Sequence, residues 1–344
     1  MPVAHTFDKG MDTRLAGIEV AGSTCAMAFP GIELLRVIGI FAVVIIHANA
    51  VGLFGEWKTT GFVLDELCRF AVPCFFVVSG FFWKTEAIEW PWRAIGALAA
   101  KLLPLYAFWL LFYFAAEFSE LFYPRLYGRD FIVALVPFSG GPGFHLWFLP
   151  ALFIGVSLCW LSLRYVGVAL TAAACVLLYL ARVIFGTYGD LIGIHLPLVA
   201  YRNGIFEAPL FLLSGLMLRR YLARFTTAQF ALLGLAGLAL HLAEGFAVST
   251  SSLGHDYSFG TIAAAIGMTG LATRLSQARD YGWGRDVLGA YLIHLFILKT
   301  VAAHLPVSGP LWALSIAAIV AAVSLGLSRL FKQTPVSRRL VALS

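Results

Sequence analysis

The chain has 344 residues, of which 60% are apolar, 15% aromatic and only 12% charged. A soluble domain of this size carries about 25% charged residues, so the composition excludes one and requires an integral membrane protein. The formal charge of +6 lies in short clusters between apolar runs, the pattern of membrane-flanking loops and not of a nucleic-acid-binding surface, so no nucleic-acid partner is expected.

Residues 1–28 mix charged, small and polar residues without an apolar core. They read as a poorly ordered cytoplasmic tail, not a cleavable signal peptide. Met27 opens "MAFPGIELLR", so either Met1 or Met27 is a candidate start. A helix needs about 20 residues to cross the hydrocarbon core. Runs of that kind cover roughly 33–54, 62–83, 94–116, 144–163, 165–185, 201–218, 228–247, 257–275, 286–305 and 310–331. The fourth and fifth are joined by a tight turn near Arg164, and "FIVALVPF" (131–138) is too short to span and suits the interface.

The predicted fold is all-α, a polytopic membrane protein of about ten transmembrane helices. Ten spans put both termini on one side. With that side cytoplasmic, 17 of the 24 Lys and Arg fall inside, so both termini are predicted cytoplasmic. Residues 29–332 form the membrane domain and 333–344 a basic C-terminal tail. No repeat suggests the inverted halves of many transporters. The five cysteines, Cys25, Cys68, Cys74, Cys159 and Cys175, form no C-x-x-C pair. They read as small packing residues, and no metal site is expected.

The first span, "ELLRVIGIFAVVIIHANA", carries Arg36 and, eleven residues later, His47. Eleven residues make three helical turns plus about 20°, so both side chains share a face, roughly 16 Å apart along the axis. Arg36 then sits at the cytoplasmic mouth and His47 past mid-membrane. An anionic head on a long neutral arm fits that spacing, and acyl-coenzyme A has that shape. The plainer readings are a snorkelling anchor for Arg36 and a neutral interhelical hydrogen-bonder for His47. Ionisable residues inside a membrane nonetheless favour function.

"IELLRVIGIFAVVIIH" (with Glu33, Arg36 and His47), "RFAVPCFFVVSGFFW" (69–83), "FHLWFLPALF" (144–153) and "GAYLIHLFIL" (289–298) stand in the order found in acyltransferase family 3, the polytopic membrane acyltransferases. Over roughly 30–332 the chain resembles that family, and most the branch that O-acetylates surface glycans. One departure concerns the third span, where many relatives carry R-x-x-R before a proline. Here "LAAKLLP" puts Leu98 and Lys101 in those places, with Arg93 nearby.

The resemblance implies an O-acyltransferase of the bacterial inner membrane. It implies acetyl-coenzyme A as donor, no permanently bound cofactor, and a hydroxyl of an extracytoplasmic glycan or glycolipid as acceptor. His47 is the catalytic candidate, either as base towards the acceptor hydroxyl or as acyl carrier. Arg36 is assigned the coenzyme A phosphates, with Glu33 one turn away to hold it or to complement the helix start. Lys101 is a further donor-binding candidate.

Arg69, His145 and Glu207 fall towards the outer halves of their spans and are the candidates for an acceptor path. Tyr291 and His294, one turn apart, are candidates for orienting His47 or the thioester carbonyl. For Glu244, His241 and Lys299, interface anchoring or helix glue is the better reading. Ten spans, internal charges and Pro73, Pro104, Pro150 and Pro209 also suit a transporter or flippase of a glycan precursor, but that reading gives no reason for R-x10-H.

Overall fold

The structure, a computed structural model, describes residues 29–119, 139–248, 255–275 and 281–343. "FIVALVPF" and the tail 1–28 lie outside the described residues. The described chain is built of helices: α1 (Pro30–Ala50), α2 (Lys58–Cys68), α3 (Ala71–Phe81), α4 (Pro91–Ser119), α5 (Phe148–Tyr165), α6 (Val168–Arg182), α7 (Ala208–Tyr221), α8 (Thr227–Val248), α9 (Phe259–Arg274), α10 (Val287–His304) and α11 (Pro310–Phe331). Seven segments are long and apolar enough to cross a membrane: Pro30–Ala50, Pro91–Glu117, Phe144–Tyr165, Val168–Thr187, Thr227–Val248, Trp283–His304 and Pro310–Phe331. Leu111, Leu170, Leu177, Leu232, Leu235 and Leu311 are largely exposed, as a lipid-facing surface requires. Trp57 and Trp312 at one end of the bundle, and Trp90 and Trp92 at the other, are more than half exposed. Indole rings in those places suit the two membrane–water interfaces.

The other three expected spans are short or broken, each with a visible cause. The second is split into α2 and α3 at Arg69–Phe70. Pro73 has no N–H to give Arg69 O, and its ring crowds that carbonyl, so the helix breaks four residues upstream. Arg69 N instead closes a tight turn onto Glu66 O at 3.1 Å. The sixth expected span is irregular from Arg202 to Glu207, and α7 starts afresh with Pro209 in its first turn. α9 has 16 residues and opens on a capping box between Ser258 and Thr261.

α1 is the hub. It packs against α2, α3, α9, α10 and α11, so His47 on this helix sits inside the bundle. Pro30 starts α1 where a missing N–H costs nothing, and Gly52, at φ +81°, turns the chain away after its end. Helices approach closely where glycine allows it. A Cβ on Gly80 of α3 would lie 1.9 Å from Leu212 O of α7, and one on Gly215 of α7 would lie 2.0 Å from Val77 O of α3. In lipid such small-residue contacts replace the hydrophobic drive that water supplies elsewhere. Gly80→Ala is therefore expected to lower the melting temperature in detergent, through an overpacking cost of about 1–3 kcal/mol. Gly96→Ala, where a Cβ meets nothing within 4 Å, is the control and is expected to leave it unchanged.

The C-terminal segment is packed against the bundle. Pro335–Arg338 forms a short helix, Val341 is fully buried, and Trp109 Nε1 donates to Leu340 O at 2.6 Å.

Candidate active site

His47 lies near the end of α1, buried, in a cluster of aromatic rings from three elements. His294 of α10 stacks on it, with ring centroids 5.3 Å apart and planes inclined by 23°. His145 lies 6.2 Å from His47 and 4.9 Å from His294, edge to face with both. His145 comes from a 3-10 turn, Phe144–Trp147, that leads into α5. The tight turn reaches inward because Tyr291 OH donates to His145 O, tying it to α10. Phe144 from the same turn stands edge-on to His47 at 5.1 Å.

His294 Nδ1 lies 2.6 Å from Tyr291 O. A carbonyl only accepts, so Nδ1 carries the proton and Nε2 keeps its lone pair. His294 Nε2 and His47 Nδ1 are buried without a hydrogen-bond partner among the described residues. Buried polar nitrogens normally have one, so both are placed for water or a ligand. Among the described residues, no group of three or more His, Cys, Asp or Glu side chains is disposed to hold a metal ion.

Above the cluster, two joined cavities share His47, Arg69, Arg202 and Asp256. The wider one encloses about 740 Å³ of empty space, including its open mouth, and is walled further out by Tyr201 and His255. Its charged lining is a relay of ion pairs that begins on α1. Asn49 Nδ2 donates to Asp65 at 2.9 Å, and Arg69 Nε donates to Asp65 at 2.6 Å. The Arg69 guanidinium also bonds Asp256. Arg202 Nε stands 3.4 Å from Asp256, and its guanidinium lies 4.8 Å from the centre of the Trp147 ring. Arg182, fully buried, stands 3.8 Å from Asp256 and donates to Glu207 at 3.0 Å. Each arginine thus meets a carboxylate, and the cavity wall is polar without a large excess of either charge.

Burial alone would raise the Asp256 carboxyl, but Arg202, Arg69 and Arg182 outweigh it and hold the group down to about 2. A depressed carboxyl contributes stability that is present above its unfolded value of about 4. That stability is lost as the pH falls towards its folded value. The melting temperature of the wild type is therefore expected to drop between about pH 4 and pH 2, and Asp256→Asn is expected to flatten that drop. Parallel acid slopes in the two proteins would contradict the pairing.

The structure thus brings His47, His145, Tyr291 and Arg69 to the two joined cavities, with His294 stacked on His47. Glu207 stands behind their wall, acting on it through Arg182. Arg36 and Glu33 pair at 2.6 Å at the other end of α1, with the Arg36 guanidinium 5.6 Å from the centre of the Phe82 ring and part of the side chain open to solvent. Lys101 lies on an exposed face of α4, away from the cavity lining. His241 bridges to Glu66 at 2.7 Å and to Ser258 at 2.7 Å. Glu244 accepts the N–H groups of Phe259 and Gly260, at the start of α9. Lys299 stands 3.6 Å from Glu117. All three join helices to one another. Sequence reasoning did not single out Asp256 or Arg182. Asp256 lies in a connection with no periodicity to mark it, and Arg182 looks like any cation at a helix end.

Fold and cavity define a multi-pass helical membrane protein with a buried histidine cluster under a polar opening. Residues 29–329 match the family described as "Acyltransferase domain", and the chain belongs to that family, acyltransferase 3. Curated relatives include an "Amino-acid racemase" of Enterococcus faecalis, 26% identical over 200 residues, which cover 55% of this chain and 28% of that protein. A "Serine/alanine racemase" of Enterococcus gallinarum is 30% identical over 242 residues, covering 63% of this chain and 34% of that protein. The chain thus spans about a third of the length of these relatives. No solved structure matches.

Proposed function

We propose that the chain is an O-acyltransferase of the bacterial inner membrane. It moves an acetyl or other short acyl group from cytoplasmic acyl-coenzyme A to a hydroxyl of an extracytoplasmic glycan or glycolipid. Ten membrane passes, some of them by broken helices, and cytoplasmic termini complete the reading. The observation that carries it is the position of His47. It stands at the floor of a cavity open on one face, on the same helix as Arg36 at the opposite face, within a chain of the acyltransferase family.

In this mechanism the acceptor hydroxyl enters through the polar opening and hydrogen-bonds to the Arg69–Asp256–Arg202 wall. Neutral sugar hydroxyls suit a wall that offers donors and acceptors in balance. The thioester reaches His47 from the Arg36 side. His47 takes the hydroxyl proton as the oxygen attacks the thioester carbonyl. The C–O bond forms, the C–S bond breaks, and the thiolate recovers the proton to leave as coenzyme A. His294, stacked on His47, and His145 fix the imidazole and screen it from bulk water, and Tyr291 holds the His145 turn. Glu33 orients Arg36 towards phosphate. Lys101 has a part only if the donor's charged end extends along the outside of α4.

The test is thiol release from acetyl-coenzyme A by the purified full chain, with and without envelope glycans, together with the mass of the recovered glycan. Acceptor-dependent thiol release and an alkali-labile acetyl mass increment are expected. Glycan that crosses vesicle membranes unmodified, with no thiol released, would instead establish a flippase. Because two relatives are named as racemases of amino acids, serine belongs among the acceptors tried.

A further inference from the structure

A second opening lies at the Arg36 end of the bundle. It encloses about 1040 Å³ of empty space, counting its open side, and is lined by Tyr281, Arg285, Asp286, Arg329, Lys332 and Arg338. Three elements build it: the 3-10 turn Trp283–Asp286, the end of α11, and the helix Pro335–Arg338. The turn is locked to the start of α1. A Cβ on Gly284 would lie 2.8 Å from Glu33 Cα, so only glycine passes there. The C-terminal wall is fixed by the buried Val341 and the Trp109–Leu340 hydrogen bond.

Arg329, Lys332 and Arg338 stand around the one carboxylate that lines the pocket among the described residues. Asp286, itself buried, accepts from Arg329 Nε at 2.9 Å and from Lys332 Nζ at 3.0 Å. The Arg329 guanidinium is further held 3.5 Å from the centre of the Trp283 ring. The Nη2 atoms of Arg329 and Arg285 both lie within 4 Å of the Cβ position at Gly282, at 3.7 and 3.9 Å. Among the described residues, Arg329 and Lys332 share the Asp286 carboxylate and Arg338 stands beside them, and like charges gathered in a concave site favour an anion there. Guanidinium forks fixed by a carboxylate and an indole are preorganised for the oxygens of a phosphate ester. Tyr281, 63% exposed at the rim, offers a flat face for a purine.

We infer that this pocket receives the phosphorylated adenine nucleotide of the acyl-coenzyme A donor, its phosphate among Arg329, Lys332 and Arg338 and its base on Tyr281. The inference rests on the reading of acyl-coenzyme A as donor, and it moves the nucleotide away from Lys101 to the ends of α10 and α11. Arg36 is then left to the part of the donor that enters the bundle. An anionic lipid headgroup offers the same phosphate chemistry, and the test separates the two.

The full chain, purified in detergent, is titrated with coenzyme A and with dephospho-coenzyme A, which lacks only the ribose phosphate. The wild type is expected to prefer coenzyme A about tenfold or more, the effect of a charge-assisted phosphate contact. Arg338→Gln alters an exposed side chain with no carboxylate partner among the described residues. It is expected to remove most of that preference while keeping the melting temperature and the affinity for dephospho-coenzyme A. Arg329→Gln is expected to do the same at some cost in stability.

A preference that survives in both variants overturns the inference and leaves the donor reading intact. A wild type without the preference, whose co-purified phosphatidylglycerol is lost in Arg338→Gln, overturns it in favour of a lipid headgroup. Failure of the donor reading shows separately, as a wild type that releases no thiol from acetyl-coenzyme A with any acceptor.

Discussion

His47→Gln is expected to lower kcat for acyl transfer by about 10²–10⁴-fold, the usual contribution of a positioned general base. The KM for acyl-coenzyme A is expected to stay within a few-fold of the wild type. Glutamine keeps a polar side chain of similar reach beside His294 and Phe144, so the cluster retains its packing, but an amide does not take a proton from a hydroxyl at neutral pH. Arg36→Gln is expected to do the reverse. It removes a charge that the mechanism uses for donor binding at the far end of α1, so KM rises and kcat at saturation changes less. Thiol release over a range of acyl-coenzyme A concentrations measures both. A His47→Gln protein that is folded and fully active would remove His47 from the chemistry.

Arg182→Leu is expected to be the most damaging single change outside the histidine cluster. Arg182 is among the largest fully buried side chains, and it donates to Glu207 at 3.0 Å, to Thr187 Oγ1 at 2.9 Å and to Tyr257 O at 3.3 Å. Its guanidinium also lies 5.1 and 5.2 Å from the ring centres of Tyr201 and Tyr257. Removing it strands the Glu207 carboxylate, which has no exposure of its own. Breaking a buried pair in this way costs about 3–5 kcal/mol, whereas replacing both partners by apolar groups is often near neutral. The melting temperature and the yield from membranes are therefore expected to fall sharply in Arg182→Leu and to recover in large part in Arg182→Leu/Glu207→Leu. A double variant as unstable as the single one would show that Arg182 acts through Asp256 and the Tyr257 carbonyl instead.

The class of the protein was legible because charge is so scarce, and His47 was legible as a candidate because helical spacing is arithmetic. Arg36 and His47 fall on one face at eleven residues, and α1 proves to be the buried hub. His145, Tyr291 and His294 were found through short stretches of sequence that keep their order, and the fold brings them within ring contact of His47 or of one another. The broken second helix was written in Pro73, but a proline within an apolar run also reads as a mere kink. Arg69 gains its place at the cavity from that break.

Asp256 and Arg182 were not legible as site residues. Their importance arises from a convergence of α2, the end of α6, the 202–207 connection and the start of α9, which no local pattern encodes. Lys101 took its candidacy from alignment to a family motif, and its exposed position on α4 does not by itself tie it to the cavity. The packing of the C-terminal segment was hidden for a similar reason, since Arg338 and Arg339 look like any basic tail until Val341 is seen buried.

On the proposed mechanism, acyl groups pass through the bundle at His47, from the Arg36 face to the Asp256 face. Everted membrane vesicles test it directly, with radiolabelled acetyl-coenzyme A supplied outside, where it does not cross the bilayer, and acceptor glycan enclosed within. Alkali-labile label on the enclosed glycan is expected from wild-type vesicles and absent from His47→Gln vesicles. Label that appears only when donor and acceptor share one side of the membrane would contradict the account.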